Sequence, residues 1–235
     1  MAQQQDHGEQ PQFAWVPQKT GLGKLFMGGK QRQALAEGTS RRMLVYSWGF
    51  RWINGDIDVS VRWEELAYVW QASTRHYTRG AHTNTDYSYK LQLSDGRSWG
   101  FSGTLWTKED LKSRKKELIP TAGVTTPVTV EQAGRLLEMG VTRVQLPRVT
   151  ERFRAGQAVS FGPLTVSQQG IAAGDESLPW SEVQEVRTWN GVVSVKKAGK
   201  WLSWNKAPVG QIANYFVFDA LVRSIIAEKG TVPGR

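Results

Sequence analysis

The chain has 235 residues, of which 40% are hydrophobic and 22% charged, so we expect one large domain or two modest ones with a buried core. It contains no cysteine, which excludes disulfides, thiolate metal sites and cysteine nucleophiles. Thirty Lys and Arg against 21 Asp and Glu give a net charge of +9. A basic surface suits nucleic acid, anionic lipid or acidic protein partners, and it also keeps a protein soluble without any partner.

The first part of the chain predicts a polar tail, an arm and a series of strands. Residues 1–12 are polar and Gln-rich, without the apolar segment of a signal peptide, and are predicted to be disordered. Residues 13–40 are predicted to form a loose arm over the first domain. Asp95-Gly96 is typical of a tight hairpin turn. Four segments have the composition and alternation of strands: residues 43–46, 57–61, 87–93 and 97–101.

Capping residues and apolar stripes predict helices in the rest of the chain. Thr129 and Gln132 form a capping box, and Gly140 is predicted to end the helix that begins there. Pro147 is predicted to open a further short helix. The last helix is apolar around most of its circumference, so we expect the other domain or a second copy of the chain to cover it. The predicted helices are residues 107–120, 129–140, 148–155 and 208–229.

One sequence motif occurs twice with the same spacing. Residues 63–69 (WEELAYV) correspond to residues 180–186 (WSEVQEV). Strand patterns precede each copy, and an alternating strand, a glycine turn and a Trp-bearing strand follow it. Two copies so far apart predict two duplicated domains rather than a solenoid, which needs shorter and more numerous repeats.

Each unit is predicted to be a bent antiparallel sheet of about seven short strands with a helix over one open end. The fold class is therefore α+β, mainly β. The 11 tryptophans are predicted to serve mainly as core, because buried aromatic rings fill large volumes. The predicted structural core takes the first, fourth and seventh residue of each motif: Trp63, Leu66, Val69, Trp180, Val183 and Val186.

The chain resembles an uncharacterised actinobacterial protein family, a domain of unknown function whose members look like tandem bacterial pleckstrin-homology-like (PH-like) modules. The resemblance rests on residues 161–164 (FGPL), 178–183 (LPWSEV), 199–201 (GKW) and 214–218 (NYFVF) and, more loosely, on residues 62–71. It implies two split β-barrels, each capped by a C-terminal helix, and a binding platform rather than an enzyme. The implied division is a tail at 1–12, a first domain with its arm at 13–140, a second domain at 141–230 and a tail at 231–235.

Phosphoinositide-binding PH domains carry basic residues between their first two strands. The stretches assigned to that loop here are residues 54–58 and 174–176, and both are acidic. Carboxylates repel a phosphorylated headgroup, so specific phosphoinositide binding is not expected.

Catalytic and metal-binding patterns are sparse. The glycines before Lys30 are not followed by the Ser or Thr of a P-loop, and no Gly-x-Ser-x-Gly occurs. The histidines His7, His76 and His82 have too few neighbouring ligands in sequence for zinc. We therefore expect no catalytic residue, no metal and no cofactor.

Two cationic segments are candidate binding sites for a partner or an anion. The first mixes cations with an aromatic ring, a combination that suits phosphate, carboxylate or protein contacts. Its residues are Arg75, His76, Tyr77, Arg79 and His82. The second lies on a predicted helix and would suit anionic lipid. Its residues are Lys112, Arg114, Lys115 and Lys116. Both segments also fit ordinary solvated surface.

The leading hypothesis is a non-catalytic cytoplasmic protein of two PH-like units. Its partner would be another protein or an anionic membrane surface, the latter placing it at the inner face of the membrane. A homodimer through the C-terminal helix is a further expectation. Two alternatives stay open, a nucleic-acid-binding protein and an enzyme with an unrecognised site.

Overall fold

The described residues are mainly β, as the sequence predicts, and contain two long helices. A computed structural model describes residues 25–30, 42–54, 57–107 and 130–230. Within these residues the strands form four small antiparallel sheets, none of which closes into a barrel.

The first half contains a four-stranded sheet, a 3-10 turn, a three-stranded sheet and a helix. The first sheet pairs its strands in chain order: β1 (Leu25–Lys30), β2 (Arg42–Tyr46), β3 (Gly49–Asn54) and β4 (Ile57–Arg62). The 3-10 turn Trp63–Glu65 then leads into the second sheet: β5 (Leu66–Thr78), β6 (Ala81–Leu93) and β7 (Ser98–Trp106). The helix that follows is α1 (Val130–Arg154).

The second half has the same order of elements. Its four-stranded sheet is β8 (Val159–Ser160), β9 (Leu164–Val166), β10 (Gly170–Ala173) and β11 (Glu176–Pro179). After the 3-10 turn Trp180–Glu182 come β12 (Val183–Trp189), β13 (Val192–Lys197) and β14 (Ser203–Pro208). A further 3-10 turn, Val209–Gln211, precedes α2 (Tyr215–Gly230).

The two tryptophan motifs have the same geometry. Each indole is buried at the 3-10 turn between the two sheets of its half. The indole N–H of Trp63 donates to the carbonyl of Ser47 at 3.2 Å, and that of Trp180 donates to the carbonyl of Ser167 at 2.8 Å. Of the other predicted core residues, two are buried and two are half-buried against the core: Leu66 and Val69, and Val183 and Val186.

The buried side chains of both halves form one continuous cluster. In the first half, Tyr89 stacks on Phe101 with ring centroids 4.9 Å apart. Helix α1 contributes Leu137 and Val141 to the cluster and packs against α2. Most apolar side chains of α2 are therefore buried or half-buried within one chain, and homodimerisation through this helix stays a prediction.

Asn214 joins the second half to the edge of β5. Its backbone N–H donates to the carbonyl of Val69 at 2.8 Å, and its Oδ1 accepts from the N–H of Val69 at 2.9 Å. Its Nδ2 donates to the carbonyl of Ala67 at 2.8 Å and to Oε1 of Gln145 at 2.7 Å. Asn214 thus acts as a one-residue strand partner, in a left-handed conformation (φ 52°) that Asn tolerates better than most residues.

One continuous helix, α1, replaces two of the predicted helices, those at 129–140 and 148–155. Helix α1 continues through Gly140 and Pro147, so no helix ends at 140 and none is separate at 148–155. Gly140 serves close packing instead, because a Cβ at this position would lie 2.5 Å from the ring of Trp63. The predicted domain boundary between residues 140 and 141 falls inside α1.

The last helix starts later than predicted, at Tyr215 rather than near Pro208. The residues in between form the 3-10 turn Val209–Gln211 and the left-handed Asn214, neither of which continues into an α-helix.

The predicted arm contains a strand, since β1 pairs with β2 in antiparallel register. With this strand included, each half begins with a four-stranded sheet. The acidic stretches 54–58 and 174–176 therefore lie where the third strand leads into the fourth, not between the first and second strands. The tails, residues 108–129 and the four candidates Lys112, Arg114, Lys115 and Lys116 lie outside the described residues.

Candidate functional site

The β5–β6 hairpin is the longest in the described part of the chain. Both strands have 13 residues, whereas the hairpin in the same position of the second half has strands of 7 and 6 residues. Strand β7 pairs with β6 only as far as Asn84, so the end of the hairpin is a two-stranded ribbon. Residues 72–82 are all exposed. Arg79 and Gly80 make the turn with φ 51° and 81°, the left-handed pair that matches the twist of a hairpin.

All five candidates of the first cationic segment lie at this end of the hairpin: Tyr77, Arg79 and His82 on the two-stranded ribbon, and Arg75 and His76 just before it, opposite Thr85 and Asn84, which β7 still pairs. Tyr77 is 60% exposed, and its ring packs against that of His82 with centroids 5.5 Å apart. The Nε2 atom of His82 lies 3.0 Å from the hydroxyl of Thr85. These contacts pack the side chains of Tyr77 and His82 against the hairpin.

An acidic residue on the same hairpin holds one of the histidines. The hydroxyl of Thr104 donates to Asp86 at 2.6 Å, and Nε2 of His76 lies 2.7 Å from the other carboxylate oxygen. These bonds, led by that of Thr104, lower the pKa of Asp86 below its ordinary value. Arg75 and Arg79, both at this end of the hairpin, have no ion-pair partner among the described residues.

An open groove of about 440 Å³ lies at the base of the same hairpin. The ammonium group of Lys90 lies 5.2 Å from the ring centroid of Trp70, and the ring centroid of Tyr68 lies 5.6 Å from the same point. The Val209–Gln211 turn of the second half forms the opposite wall. The groove is lined by Trp70, Gln71, Ala72, Ser88, Tyr89, Lys90, Gly210 and Gln211.

A half-buried carboxyl group lies on α1, near the junction of the halves. Burial raises the pKa of Glu138 to about 8, and the nearby Arg135 opposes that shift only in part. Glu138 in turn contributes to the raised pKa values of Tyr89 and Tyr215, which burial dominates. Glu138 has no sequence motif around it, so only the packing of α1 identifies it.

For three tryptophans the prediction of a core role is wrong. Trp201 is 93% exposed, Trp189 66% and Trp48 54%. Trp48 and Trp189 lie beneath guanidinium groups, those of Arg143 and Arg187, at 5.0 and 5.4 Å from the ring centroids. All three lie in or beside hairpin turns, and for Trp201 the preceding Ala-Gly-Lys turn is the sequence signal that could have placed it there.

Residues 25–30, 42–54, 57–107 and 130–230 contain neither a metal-binding cluster nor a membrane-spanning helix. No cluster of three or more His, Asp or Glu in these ranges could hold a metal ion. No helix in the same ranges has the length and apolar character needed to cross a bilayer.

Residues 126–231 match a family of unknown function (DUF6585). The matched segment contains α1 and every element of the second half. The expected similarity to an uncharacterised domain family is therefore confirmed for this part of the chain. No curated protein matches the chain.

Proposed function

We propose that the chain is a non-catalytic recognition protein of two PH-like units, and that the first unit binds an acidic protein surface through the β5–β6 hairpin. The observation that carries the proposal is the length of this hairpin, whose exposed end carries Arg75 at the edge of its three-stranded sheet and Tyr77, Arg79 and His82 beyond it.

The order of elements supports two PH-like units. Each half consists of a four-stranded antiparallel sheet, a 3-10 turn with a buried tryptophan, a three-stranded antiparallel sheet and a helix. In a split barrel two such sheets pack face to face and a helix covers one open end. The single buried cluster, in which α1 covers the first half, fits that arrangement.

The chemistry of the ribbon favours an acidic protein partner. Two Arg side chains and the exposed ring of Tyr77 lie within five residues of one another, and Arg and Tyr are enriched where protein interfaces gain most of their affinity. The packed tip residues reduce the entropy lost on binding. Positive charge at a protruding tip also speeds the encounter with an acidic surface.

The groove beside Trp70 extends the same surface toward the second half. Trp70, Ala72 and Lys90 all line it, so the groove offers an aromatic ring, a small side chain and a positive charge to a partner. A side chain of the partner inserted there would be covered by the Val209–Gln211 turn. This gives the proposed interface a fixed anchor point besides the ribbon.

A photo-crosslinker placed at residue 77 tests the proposal. The same crosslinker at residue 189, another exposed aromatic position at a hairpin end, is the matched control. We expect cells expressing the Tyr77 variant to yield a discrete crosslinked protein with an acidic surface, and the Trp189 variant to yield none of it. A second arm replaces Arg75 and Arg79 with Ala, and we expect capture of that protein to fall at least about fivefold, since charged interface contacts of this kind are strong.

The charge control is a double Arg148→Ala and Arg154→Ala variant, which removes the same charge from exposed positions of α1. Equal capture by the ribbon variant and this control would refute the proposal. Crosslinking to RNA or DNA at residue 77, with a steep salt dependence, would instead favour the nucleic-acid alternative.

A further inference from the structure

The loop between β13 and β14, residues 198–202, exposes two adjacent apolar side chains. Trp201 is 93% exposed and Leu202 is 75% exposed, the highest values for large hydrophobic residues in the described part of the chain. Single exposed apolar residues are common on protein surfaces, but a neighbouring pair at the tip of a hairpin is a small hydrophobic projection.

The loop is held in place at its base. The N–H of Ala198 donates to the carbonyl of Glu182 at 2.8 Å, and the N–H of Lys200 donates to the carbonyl of Lys197 at 3.2 Å. Across the hairpin, the hydroxyls of Ser194 and Ser203 are 2.6 Å apart. The apolar pair is therefore displayed by an ordered hairpin.

Basic residues surround the pair. Lys197 forms an ion pair with Glu182, and Lys196 lies opposite Glu185 in the strand register. Lys200 precedes Trp201 directly and has no ion-pair partner among the described residues. The uncompensated positive charge of the loop therefore lies next to its most exposed ring.

Lys229 adds a second cation at this end of the second half. Its ammonium group lies 5.7 Å from the ring centroid of Trp180. The same 3-10 turn, Trp180–Glu182, accepts the hydrogen bond from the base of the loop at Ala198. The end of α2 and the β13–β14 loop thus meet the same turn.

The size and chemistry of this surface favour lipid over protein. One Trp and one Leu expose a few hundred Å² at most, whereas a stable protein interface buries about 800 Å² on each partner. A bilayer needs no matching surface, since an indole rests at the level of the headgroups, a Leu side chain enters the hydrocarbon, and Lys meets anionic headgroups.

We propose that the β13–β14 loop is a lipid-insertion tip that docks the second half on an anionic bilayer. Trp201 lies among the headgroups, Leu202 reaches below them, and Lys200 binds their phosphate and carboxylate groups. The tip and the β5–β6 hairpin are separate surfaces, so the insertion proposal does not depend on the proposed protein partner.

Vesicle co-flotation of the full chain tests the tip. We expect binding to phosphatidylcholine vesicles that contain phosphatidylserine and little binding to phosphatidylcholine alone. A Trp201→Ala, Leu202→Ser double variant should lose at least about tenfold in partitioning, because it removes most of the inserted apolar area. Lys200→Glu should weaken binding only to the anionic vesicles.

Trp189→Ala is the matched control, since Trp189 is also an exposed tryptophan of the second half. It should bind vesicles like the wild type, as should the Arg75→Ala, Arg79→Ala variant. Both tip substitutions are at exposed positions, so an unchanged melting temperature will show that the fold is intact. The proposal is wrong if the wild type does not float with anionic vesicles, or if the double variant floats equally well. It is also wrong if analytical sedimentation shows that the wild type is a dimer and that the double variant is a monomer, because the apolar pair then serves as a dimer contact.

Discussion

The two halves of the molecule share an order of elements and differ in the hairpins that they expose. In the first half the β5–β6 hairpin is long and cationic, and the β6–β7 connection is a short polar turn in which Arg97 pairs with Asp95 at 2.7 Å. In the second half the lengths are ordinary at β12–β13, and the β13–β14 loop exposes Trp201 and Leu202 instead. Each half therefore has one specialised hairpin, and the two occupy different positions.

The inner contacts differ far less than the hairpins. In both halves the carbonyl of the last residue of the 3-10 turn, Glu65 or Glu182, accepts a backbone N–H from the turn of the following hairpin, at 2.9 and 2.8 Å. Packing limits change at the buried indoles of these turns, Trp63 and Trp180, whereas hairpin ends on a rigid scaffold tolerate it. Functional differences between the two halves are therefore expected at the hairpin ends.

The largest effect is expected where the halves join, because Asn214 makes them one folding unit. Asn214→Ala removes the side-chain partners of Val69, Ala67 and Gln145 and places Ala at φ 52°. We expect a loss of about 2–4 kcal/mol in the free energy of unfolding, since two backbone groups lose their partners and the backbone is strained. Urea denaturation followed by circular dichroism measures it.

Asn190→Ala is the control for the backbone term, since Asn190 has nearly the same conformation (φ 47°) in a surface turn. It should cost about 1 kcal/mol. If the two variants lose the same stability, the hydrogen bonds of Asn214 add nothing measurable to the junction, which then depends on the shared apolar cluster alone.

A smaller effect is expected from Glu138, which has no acidic counterpart buried in α2. Its pKa of about 8 in the folded chain lies above the ordinary value of 4.5, so the folded protein retains a proton that the unfolded chain releases. The wild type therefore loses stability as pH rises from about 4.5 to about 8. Glu138→Gln should be more stable than the wild type by about 1–3 kcal/mol at pH 8 and nearly equal at pH 4.5.

Thermal unfolding across that pH range measures the difference between the two proteins. Glu131→Gln, on the same helix, is the control, because Glu131 forms an ion pair with Arg135 near the start of α1. A stability difference for Glu138→Gln that does not change with pH would show that the carboxyl is ionised in the folded state throughout.

The sequence predicts the strands and the repeated turns of this fold better than the ends of its helices. The alternation of apolar residues locates β4 and β6, and the repeated motif places Trp63 and Trp180 at equivalent turns, because these features depend on neighbouring residues. The end predicted at Gly140 is wrong because a glycine that stops a helix and one that admits an indole look alike in sequence. Only the tertiary contact with Trp63 distinguishes them.

The candidate surfaces likewise differ in whether local sequence is enough to predict them. The cationic residues of the β5–β6 hairpin were evident as a mixed Arg, His and Tyr segment. Composition favours buried indoles and therefore predicts a core position for Trp201. Its exposure depends on a five-residue loop whose path local sequence patterns do not determine. The groove of Trp70 and Lys90 was missed because the second half supplies one wall, far away in sequence.

The smallest expected effect concerns the turns of the two corresponding hairpins, Arg79-Gly80 and Asn190-Gly191. Asn is favoured at the first of these left-handed positions and Arg is not, yet Arg79 has φ 51°. We expect Arg79→Asn to raise the free energy of unfolding by about 0.5 kcal/mol and Asn190→Arg to lower it by about as much, in urea titrations run side by side. A residue that costs stability at a hairpin tip is expected to be kept for binding, so Arg79→Asn should also reduce crosslinking at residue 77. If Arg79→Asn destabilises the chain instead, Arg79 supports the hairpin structurally. The proposal that the β5–β6 hairpin is specialised for binding then loses its strongest support from a single residue.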